Sequence, residues 1–253
     1  MSWVSRSSIG LLVLAAATGV AAAQDTVRIG TEGAYAPFNF IDSAGELQGF
    51  DVDIARAVCE KMGVECTYVA QDWDGIIPAL TAGKYDAIFA SMSITDERKQ
   101  VIDFSRPYYN TPSAFVAAKG SGLGGNSPAD LAGKSLGAQS STIQANYLEE
   151  HYGDADHKLY PTQDEVNLDL VSGRIDALLV DKLVALDWLE TDDGQCCELL
   201  ADDIQIGGGV GAGVRQDDTE LRDRISAAID AIKADGTYDA INAKYFDFSI
   251  WVD

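Results

Sequence analysis

The chain has 253 residues, with 40 acidic and 18 basic side chains and a formal net charge of −22. This charge argues against nucleic acid and anionic membrane surfaces as partners, because both would repel an acidic protein. We interpret the acidity mainly as a source of solubility, which says little about the fold.

The first 23 residues have the layout of a secretory signal peptide. A single cation, Arg6, precedes the apolar run IGLLVLAAATGV, and three alanines at 21–23 precede Gln24. The apolar run is shorter than the roughly 20 residues of a typical transmembrane helix. An N-terminal membrane anchor is the alternative interpretation. Removing 23 of the 253 residues leaves 230, which suits one large domain or two lobes of about 100 residues each. We therefore expect an exported protein.

Strands and helices alternate in the first unit that follows. The segment TVRIG is typical of a strand, and it leads into the loop EGAYAPFNF. The next helix is predicted from a cap at Asp51, apolar residues spaced four apart and a stop at Gly63. The pattern continues with a strand at 66–70, a helix at 75–82, a strand at 86–91 and a helix begun by Thr95. Such alternation predicts a mostly parallel sheet covered by helices.

The four cysteines fall into two pairs. Cys59 and Cys66 bracket the end of the first helix, and a bridge between them would close a small loop and contribute about 2.5 kcal/mol. Metal binding by this pair is disfavoured, since no cluster of His or further Cys lies nearby. Cys196 and Cys197 are adjacent and could form a vicinal bridge, stay reduced or pair between molecules.

A second unit begins near Phe115, after which a Gly/Ser/Pro-rich loop leads into the strand-like KSLGAQ. Its further predicted elements are a helix at 142–152, a helix at 162–172 and the strand DALLVD. The segment GGGVGAGVR then leads into a tail with helices at 217–234 and up to Tyr245. The glycine-rich segment also matches GxGxxA, a pattern of dinucleotide-binding sites. The match does not open a helix directly and lies at the wrong end of the chain.

The tail has one strand and two helices but no sheet of its own, so we expect it to complete the sheet of the first unit. The chain would then cross between two lobes twice, near 110–112 and near 205–209, and two crossovers make a hinge. We predict a first lobe of residues 24–110 plus 207–253 and a second lobe of residues 111–206.

Two segments that lie ninety positions apart have similar sequences: LTAGKYDAI at 80–88 and LVSGRIDAL at 170–178. Each reads as the last turn of a helix, a Gly stop, and Asp-Ala leading into an apolar strand. The same offset pairs Ser91 with Asp181, at the carboxyl ends of corresponding strands. Open α/β sheets bind small ligands at such ends.

The polar residues near these strand ends suit a zwitterion. Ser91, Ser93 and Arg98 could converge on a carboxylate. The hydroxyl side chains of residues 140–142 stand at a predicted helix start, where they would cap the helix and could also contact the ligand. Asp181 could either cap a helix or face an ammonium. Together these groups describe an amino acid as ligand, and its side-chain pocket would be formed by Glu32, Tyr35 and Trp73.

Several segments resemble the polar-amino-acid solute-binding proteins of ATP-driven importers. They are VRIGTEGAYAPFNF, LQGFDVDIARAVCEKMGVECTYVAQDWDGIIPAL, KYDAIFASMSITDERKQVIDFS and the ending DDTELRDRISAAIDAIKADGTYDAINAKYFDF. The lysine/arginine/ornithine-, histidine- and octopine/nopaline-binding types look most similar. The resemblance implies an α/β, two-lobed periplasmic-binding-protein-like fold of type II, hinged by two crossovers, and a disulfide between Cys59 and Cys66.

The resemblance also implies roles for the candidate residues. Tyr35 and Trp73 would sandwich the ligand side chain, and Asp181 would bind the α-ammonium. The α-carboxylate site would consist of Ser91, Ser93, Arg98 and Thr142. Glu at position 32 looks like the opine-binding members, but an acid at position 181 favours a free amine over an opine. We therefore expect a cationic amino acid (arginine, ornithine or lysine), with an opine or another polar amino acid as the alternative.

The function implied by the resemblance is delivery of this amino acid to a membrane permease by a periplasmic protein that acts as a monomer, without a metal or cofactor. The rival is a dehydratase-like enzyme on the same fold. His151 and His157 are the only histidines, so the chain offers neither a Ser-His-Asp arrangement nor a His-rich metal site. A detached carrier for an amino-acid sensor is a third hypothesis.

Overall fold

The computed structural model describes residues 25–252, apart from the side chain of Asp202, and the predicted signal peptide lies outside this range. In chain order, the strands are β1 (Thr26–Thr31), β2 (Ala34–Tyr35), β3 (Asn39–Ile41), β4 (Leu47–Gln48), β5 (Glu65–Ala70), β6 (Ala87–Ile88), β7 (Ile102–Tyr109), β8 (Ser113–Ala118), β9 (Ser135–Gln139), β10 (Asp156–Tyr160), β11 (Ala177–Asp181), β12 (Cys197–Ile204) and β13 (Val210–Arg215). The α-helices are α1 (Phe50–Met62), α2 (Trp73–Thr81), α3 (Ile143–His151), α4 (Gln163–Val171), α5 (Lys182–Leu189), α6 (Thr219–Ala234) and α7 (Thr237–Tyr245). Within residues 25–252, no helix combines the length and the apolar character needed to cross a bilayer.

Ten of the described strands form two five-stranded sheets with the same pattern of directions, and β2, β3 and β4 form a small third sheet. The first sheet has the order β5-β1-β6-β13-β7 and the second the order β10-β9-β11-β8-β12. In the first sheet β1 is parallel to β5 and β6, while β13 runs antiparallel to β6 and β7. In the second sheet β9 is parallel to β10 and β11, while β8 runs antiparallel to β11 and β12. The sheets are therefore mixed, where the sequence predicts mostly parallel ones.

The internal repeat corresponds to equivalent places in the two sheets. The copy at 80–88 ends in β6, which lies beside β1, and the copy at 170–178 enters β11, which lies beside β9. Because parallel strands bring their carboxyl ends to one edge of a sheet, each copy delivers polar residues to that edge.

The C-terminal tail contributes its strand to the first sheet, where β13 lies between β6 and β7. The chain therefore passes between the sheets at two places. One connection, residues 110–112, joins β7 to β8, and the other, residues 205–209, joins β12 to β13. The lobe boundaries proposed from the sequence stay a prediction.

The core around α1 determines where this helix begins. Phe50 is fully buried, and its ring meets those of Tyr109 and Tyr238 edge to face at centroid distances of 5.5 and 5.8 Å. Truncating a buried Phe to Ala costs about 3 to 5 kcal/mol. This packing holds the first turn of α1 against the sheet, directly beneath the edge that bears the polar residues.

The structure corrects the prediction that Asp51 caps α1. The cap position is Gly49, whose φ of 120° is rarely accessible to other residues. A Cβ at this position would lie 2.3 Å from the carbonyl oxygen of Phe38. Asp51 instead lies in the first turn, and its fully buried carboxylate accepts hydrogen bonds from Ser91 and Tyr108.

Two other helix starts differ from the prediction. Thr95 does not begin an α-helix, because the residues after it form only a short 3-10 helix, Arg98–Gln100. Helix α2 begins at Trp73, two residues earlier than predicted, so that this ring belongs to the first turn of a helix. Thr142 caps α3 as predicted, with Oγ1 accepting a hydrogen bond from the amide of Ala145 at 3.1 Å.

Both cysteine pairs are bridged. A disulfide joins Cys59, near the end of α1, to Cys66 in β5. A second, vicinal disulfide joins Cys196 to Cys197, which is one of the three states that the sequence leaves open. It lies at the start of β12, in the second sheet.

Candidate functional site

A cleft lies between the carboxyl edges of the two sheets. The empty space between its walls, including the opening to solvent, is about 300 Å³. It is lined by Glu32, Tyr35, Trp73, Ala90, Ser91, Ser93, Arg98, Gln139, Thr142, Ile143, Gln144 and Asp181. The structure thus brings all eight predicted binding residues into one lining.

Strand ends position these residues, as the topology requires. Glu32 directly follows β1, Trp73 begins the helix after β5, and Ser91 lies three residues beyond β6. Asp181 is the last residue of β11, in the other sheet. The two lobes therefore contribute side chains to opposite walls of the same cleft.

Asp181 is a buried carboxylate with two hydrogen-bond donors. Its Oδ2 accepts from the Tyr35 hydroxyl at 2.9 Å and its Oδ1 from Gln144 Nε2 at 3.1 Å. Burial raises the pKa of Asp181 to about 7, while the bonds from Tyr35 and Gln144 and the charge of Arg98 act in the opposite direction. Although it stands at the cap position of α5, it makes no side-chain cap bond. Its carboxylate is therefore available to a cation in the cleft.

Arg98 is the cation of the cleft. Its Nη1 donates to the carbonyl oxygen of Ser93 at 2.8 Å, and its Nη2 donates to that of Ser141, in the opposite lobe, at 3.2 Å. Its guanidinium carbon lies 5.2 Å from the centre of the Trp73 ring, a cation–π distance. Burial lowers the pKa of Arg98 to about 10, so the group stays positive at neutral pH. Such a guanidinium suits a carboxylate.

Glu32 is a buried carboxyl group that contacts the opposite lobe. Its Oε1 accepts a hydrogen bond from Gln139 Nε2 at 2.6 Å, across the cleft. Burial raises the pKa of Glu32 to about 7, and the negative charges of Asp164, Asp72 and Asp74 add to this effect. A cation placed beside this carboxylate would restore its ionised form.

Tyr35 and Trp73 contribute aromatic surface and also connect the lobes. Both are 8% exposed. The hydroxyl of Tyr35 donates to Asp181, and Trp73 Nε1 donates to the carbonyl oxygen of Ser141 at 3.2 Å. Aromatic faces of this kind suit an aliphatic or cationic stem.

Ser91 is held in an unusual backbone conformation. Its φ is 50°, in the left-handed region that few residues other than Gly adopt. Its amide and its hydroxyl donate to Asp51 Oδ2 at 2.7 and 3.1 Å, and its Oγ accepts from the Tyr109 hydroxyl at 2.7 Å. Because its one hydroxyl hydrogen is used by Asp51, Ser91 Oγ can meet a ligand only as an acceptor. This favours an ammonium at Ser91, whereas the sequence predicts a carboxylate there.

Thr142 and Ser93 bound the part of the cleft near Arg98. Thr142 Oγ1 donates to the carbonyl oxygen of Gln139 at 2.7 Å while it caps α3. Ser93 is 9% exposed, and its carbonyl oxygen accepts from Arg98. The amino end of α3 and the Arg98 guanidinium therefore border the same space, which suits an anion.

Sequence reasoning missed two glutamines of the lining. Gln139 is the last residue of β9 and contacts Glu32, and Gln144 lies in the first turn of α3 and contacts Asp181. The strand-end rule could have identified Gln139, which ends the predicted strand KSLGAQ. Gln144 carries no such signal, because a polar residue in a helix is ordinarily solvated.

The arrangement provides two negative groups and one positive group in a confined space, with hydroxyl and aromatic groups between them. Within residues 25–252, no group of three or more His, Cys, Asp or Glu side chains is placed to hold a metal ion. The three charged groups complement a small molecule with one anionic and two cationic groups.

Known proteins are similar in sequence to this chain over nearly its whole length. Residues 27–248 match the model of the bacterial extracellular solute-binding proteins, family 3. The chain is 45% identical over 238 residues to an L-arginine-binding protein of Pseudomonas aeruginosa, with 91% of each chain covered. It is 40% identical over 245 residues to the lysine/arginine/ornithine-binding periplasmic protein of Escherichia coli K12, with 94% of each covered.

A solved structure extends the likeness to the fold. A periplasmic His/Glu/Gln/Arg/opine family-binding protein from Silicibacter pomeroyi, solved in complex with lysine, superposes with a TM-score of 0.80 at 40% identity. The match covers 90% of this chain and 100% of that one. The α/β architecture with two lobes is therefore the type II fold of periplasmic binding proteins. The chain belongs to the bacterial extracellular solute-binding proteins, family 3.

Proposed function

We propose that this protein binds a free cationic amino acid (arginine, ornithine or lysine) in the periplasm and delivers it to the membrane permease of an ATP-driven importer. The observation that carries the proposal is the placement of Arg98, Asp181 and Glu32 around one cleft. A cationic amino acid has one carboxylate and two cationic groups, so each charge of the ligand would find an opposite charge. The similar proteins named as binders of arginine and lysine support this choice.

The backbone groups of the ligand would lie between the lobes. Its carboxylate would pair with Arg98 and the amino end of α3, in charge-assisted hydrogen bonds. Its ammonium would meet Asp181, with Ser91 Oγ as a further acceptor. Gln144, from the same lobe, donates to Asp181 Oδ1, so it orients the carboxylate before the lobes close. Tyr35, from the opposite lobe, adds its bond to Oδ2 when they close.

The side chain of the ligand would extend between Tyr35 and Trp73 towards Glu32. The aromatic rings would contact its aliphatic stem, and the Glu32 carboxylate would pair with its distal cation. Glu32 is bonded to Gln139 through Oε1, but an ionised carboxylate has about four acceptor positions, so this bond leaves room for a ligand. A ligand with an anionic distal group would be excluded by like charge.

Binding without chemical turnover is part of the proposal. Of the two histidines in the chain, His151 is exposed and the ring of His157 bonds to the Tyr152 carbonyl oxygen at 2.9 Å. Neither lines the cleft. The paired contacts for the ligand's carboxylate and ammonium hold an amino acid without placing a nucleophile against it.

Isothermal titration calorimetry with a panel of ligands tests the proposal. Arginine, ornithine and lysine should bind at least tenfold more tightly than glutamine, glutamate, citrulline and octopine. Chromatography of each ligand after incubation should recover it unchanged. Tighter binding of glutamine, glutamate or an opine, or conversion of a ligand, would contradict the proposal.

Closure about the two connections, residues 110–112 and 205–209, is the proposed mode of binding. It would bring the contacts from both lobes onto the ligand together. Small-angle X-ray scattering with and without saturating arginine should show a smaller radius of gyration in the complex, and an unchanged radius would count against a hinge.

A further inference from the structure

Hydrogen bonds between the lobes converge on residues 139–141, at the end of β9 and immediately after it. The carbonyl oxygen of Ser141 accepts from both Trp73 Nε1 and Arg98 Nη2, each at 3.2 Å. One backbone carbonyl of the second lobe thus orients two side chains of the first lobe that line the cleft. Ser141 has a φ of 58°, and a non-Gly residue in this region costs of order 1 to 3 kcal/mol unless its surroundings hold it.

Asp74, from the opposite lobe, binds the hydroxyl groups of residues 140–141. Ser140 Oγ lies 3.0 and 3.1 Å from its two carboxylate oxygens, and Ser141 Oγ donates to its Oδ1 at 2.7 Å. Asp74 lies in the first turn of α2, is exposed and stands outside the lining of the cleft. Neither hydroxyl can reach it unless residues 140–141 approach α2, so these bonds exist only when the lobes are together.

We propose that Asp74 is a positioning residue for ligand binding, which retains the bound amino acid by anchoring residues 140–141 across the cleft. It acts through the Ser141 carbonyl, which fixes Arg98 and Trp73. The inference rests on the proposed function, since it concerns retention of the ligand that Arg98 binds. It adds a determinant of affinity that does not touch the ligand.

The geometry predicts which rate constant changes. The bonds to Asp74 form after the ligand has entered, so they oppose reopening and not the first encounter. Replacing Asp74 by Ala should therefore raise the dissociation rate constant and the Kd for arginine by about tenfold, with the association rate constant within about twofold of the parent. Because Asp74 lies outside the lining, the factor should be the same for arginine, ornithine and lysine.

Asp72 provides a matched control. It is an exposed acid two residues away, at the cap position of the same helix, and makes no side-chain cap bond. Like Asp74 it contributes a negative charge that acts on Glu32. Asp72→Ala therefore removes the same long-range charge without removing a bond to Ser140 or Ser141, and its dissociation rate constant should stay within about twofold of the parent.

A double-mutant cycle separates anchoring from a general electrostatic effect. Ser140 and Ser141 are changed to Ala together, with and without Asp74→Ala, and dissociation of arginine is followed by stopped-flow tryptophan fluorescence. The serine variant should dissociate about as fast as Asp74→Ala, and the combined variant no faster, because all three side chains act in one set of bonds. Circular dichroism should show the same thermal midpoint for the ligand-free variants within about 2 °C.

The outcomes distinguish failure of the proposed function from failure of the role assigned to Asp74. If the parent binds none of the cationic amino acids, the proposed function and this inference both fall. If the parent binds arginine but Asp74→Ala dissociates no faster than Asp72→Ala, or if the losses in the cycle are additive, the inference alone is overturned.

Discussion

At the scale of single residues, the cleft is defined by charges held away from water. Burial raises the pKa of both Glu32 and Asp181 to about 7 and lowers that of Arg98 to about 10. In each case burial disfavours the charged form, and a ligand of opposite charge would favour it again. Removing protons from the Glu32 and Asp181 carboxyl groups would thus offset part of the binding free energy for a cationic amino acid.

Arg98 carries the first prediction at this scale. Arg98→Ala should weaken arginine binding by at least a hundredfold in calorimetry, because the ligand carboxylate would be left unpaired in a closed cleft. Arg56→Ala is the matched control. Arg56 also lies over an aromatic ring, at 5.7 Å from Tyr68, but pairs with Asp53 outside the cleft. Binding by Arg98→Ala within threefold of the parent would rule out this role.

Glu32 carries the second prediction, which concerns selectivity. A cation about 4 Å from a carboxylate gains roughly 4 kcal/mol at an effective dielectric of 20, before desolvation is subtracted. Glu32→Gln keeps an oxygen for the bond from Gln139 but removes the charge. The ratio of arginine affinity to glutamine affinity should therefore fall by at least tenfold, with glutamine affinity within about threefold of the parent. An unchanged ratio in competition binding would show that shape alone selects the ligand.

The residues that the sequence predicts best are those at strand ends. Ser91 and Asp181 follow from the internal repeat, and the topology alone brings them to facing edges. Contacts between residues that lie far apart in the chain are different. Asp74, Gln139 and Gln144 take their importance from partners 37 to 107 positions away in the chain, and no local pattern encodes such pairings.

At the scale of elements, helices were predicted better than short or polar strands. Helix α1 has a clear apolar stripe, and its predicted end near Gly63 agrees with the structure. Strand β10, with the sequence DHKLY, has no buried residue, so it lacks the alternation that identifies a strand. The small sheet of β2, β3 and β4 consists of strands of two or three residues, too short for a periodic signal. Tertiary pairing, and not local pattern, creates such elements.

The start of α1 gives a prediction at the element scale. Gly49→Ala should lower the free energy of unfolding by several kcal/mol, because the new Cβ would meet the Phe38 backbone and φ is 120°. Gly63→Ala, at the other end of α1, is the control. Its φ is also positive, at 69°, but a Cβ there would meet no atom within 4 Å, so it should cost only about 1 kcal/mol. Urea unfolding measures both, and equal losses would contradict the steric argument.

At the scale of the whole molecule, stability depends on pH through buried carboxyl groups. The chain carries a net charge of −22, and burial also raises the pKa of Asp51 to about 6. Asp51 supports Ser91, while Glu32 and Asp181 line the cleft beside it. The negative charges that act on these groups come from Asp72, Asp74 and Asp164 for Glu32, and from Asp51 for Asp181.

The pH dependence of stability follows from these raised pKa values. Between about pH 4.5 and 7, the folded protein keeps protons on Glu32 and Asp181 that the unfolded chain has already lost, and Asp51 does the same up to about pH 6. The folded state then binds more protons, so its stability falls as the pH rises through this window and levels off above it.

For the ligand-free protein, the thermal midpoint should therefore fall by roughly 5 °C or more between pH 5 and pH 7.5. Saturating arginine should raise the midpoint more at pH 7.5 than at pH 5, because its cationic groups pair with the ionised carboxylates. Circular dichroism melts across this range measure both effects. Glu32→Gln, which removes one of the three protons, should show a shallower fall. A ligand-free midpoint that rises from pH 5 to 7.5, or an arginine shift that shrinks over the same range, would contradict the link between these carboxyl groups and binding.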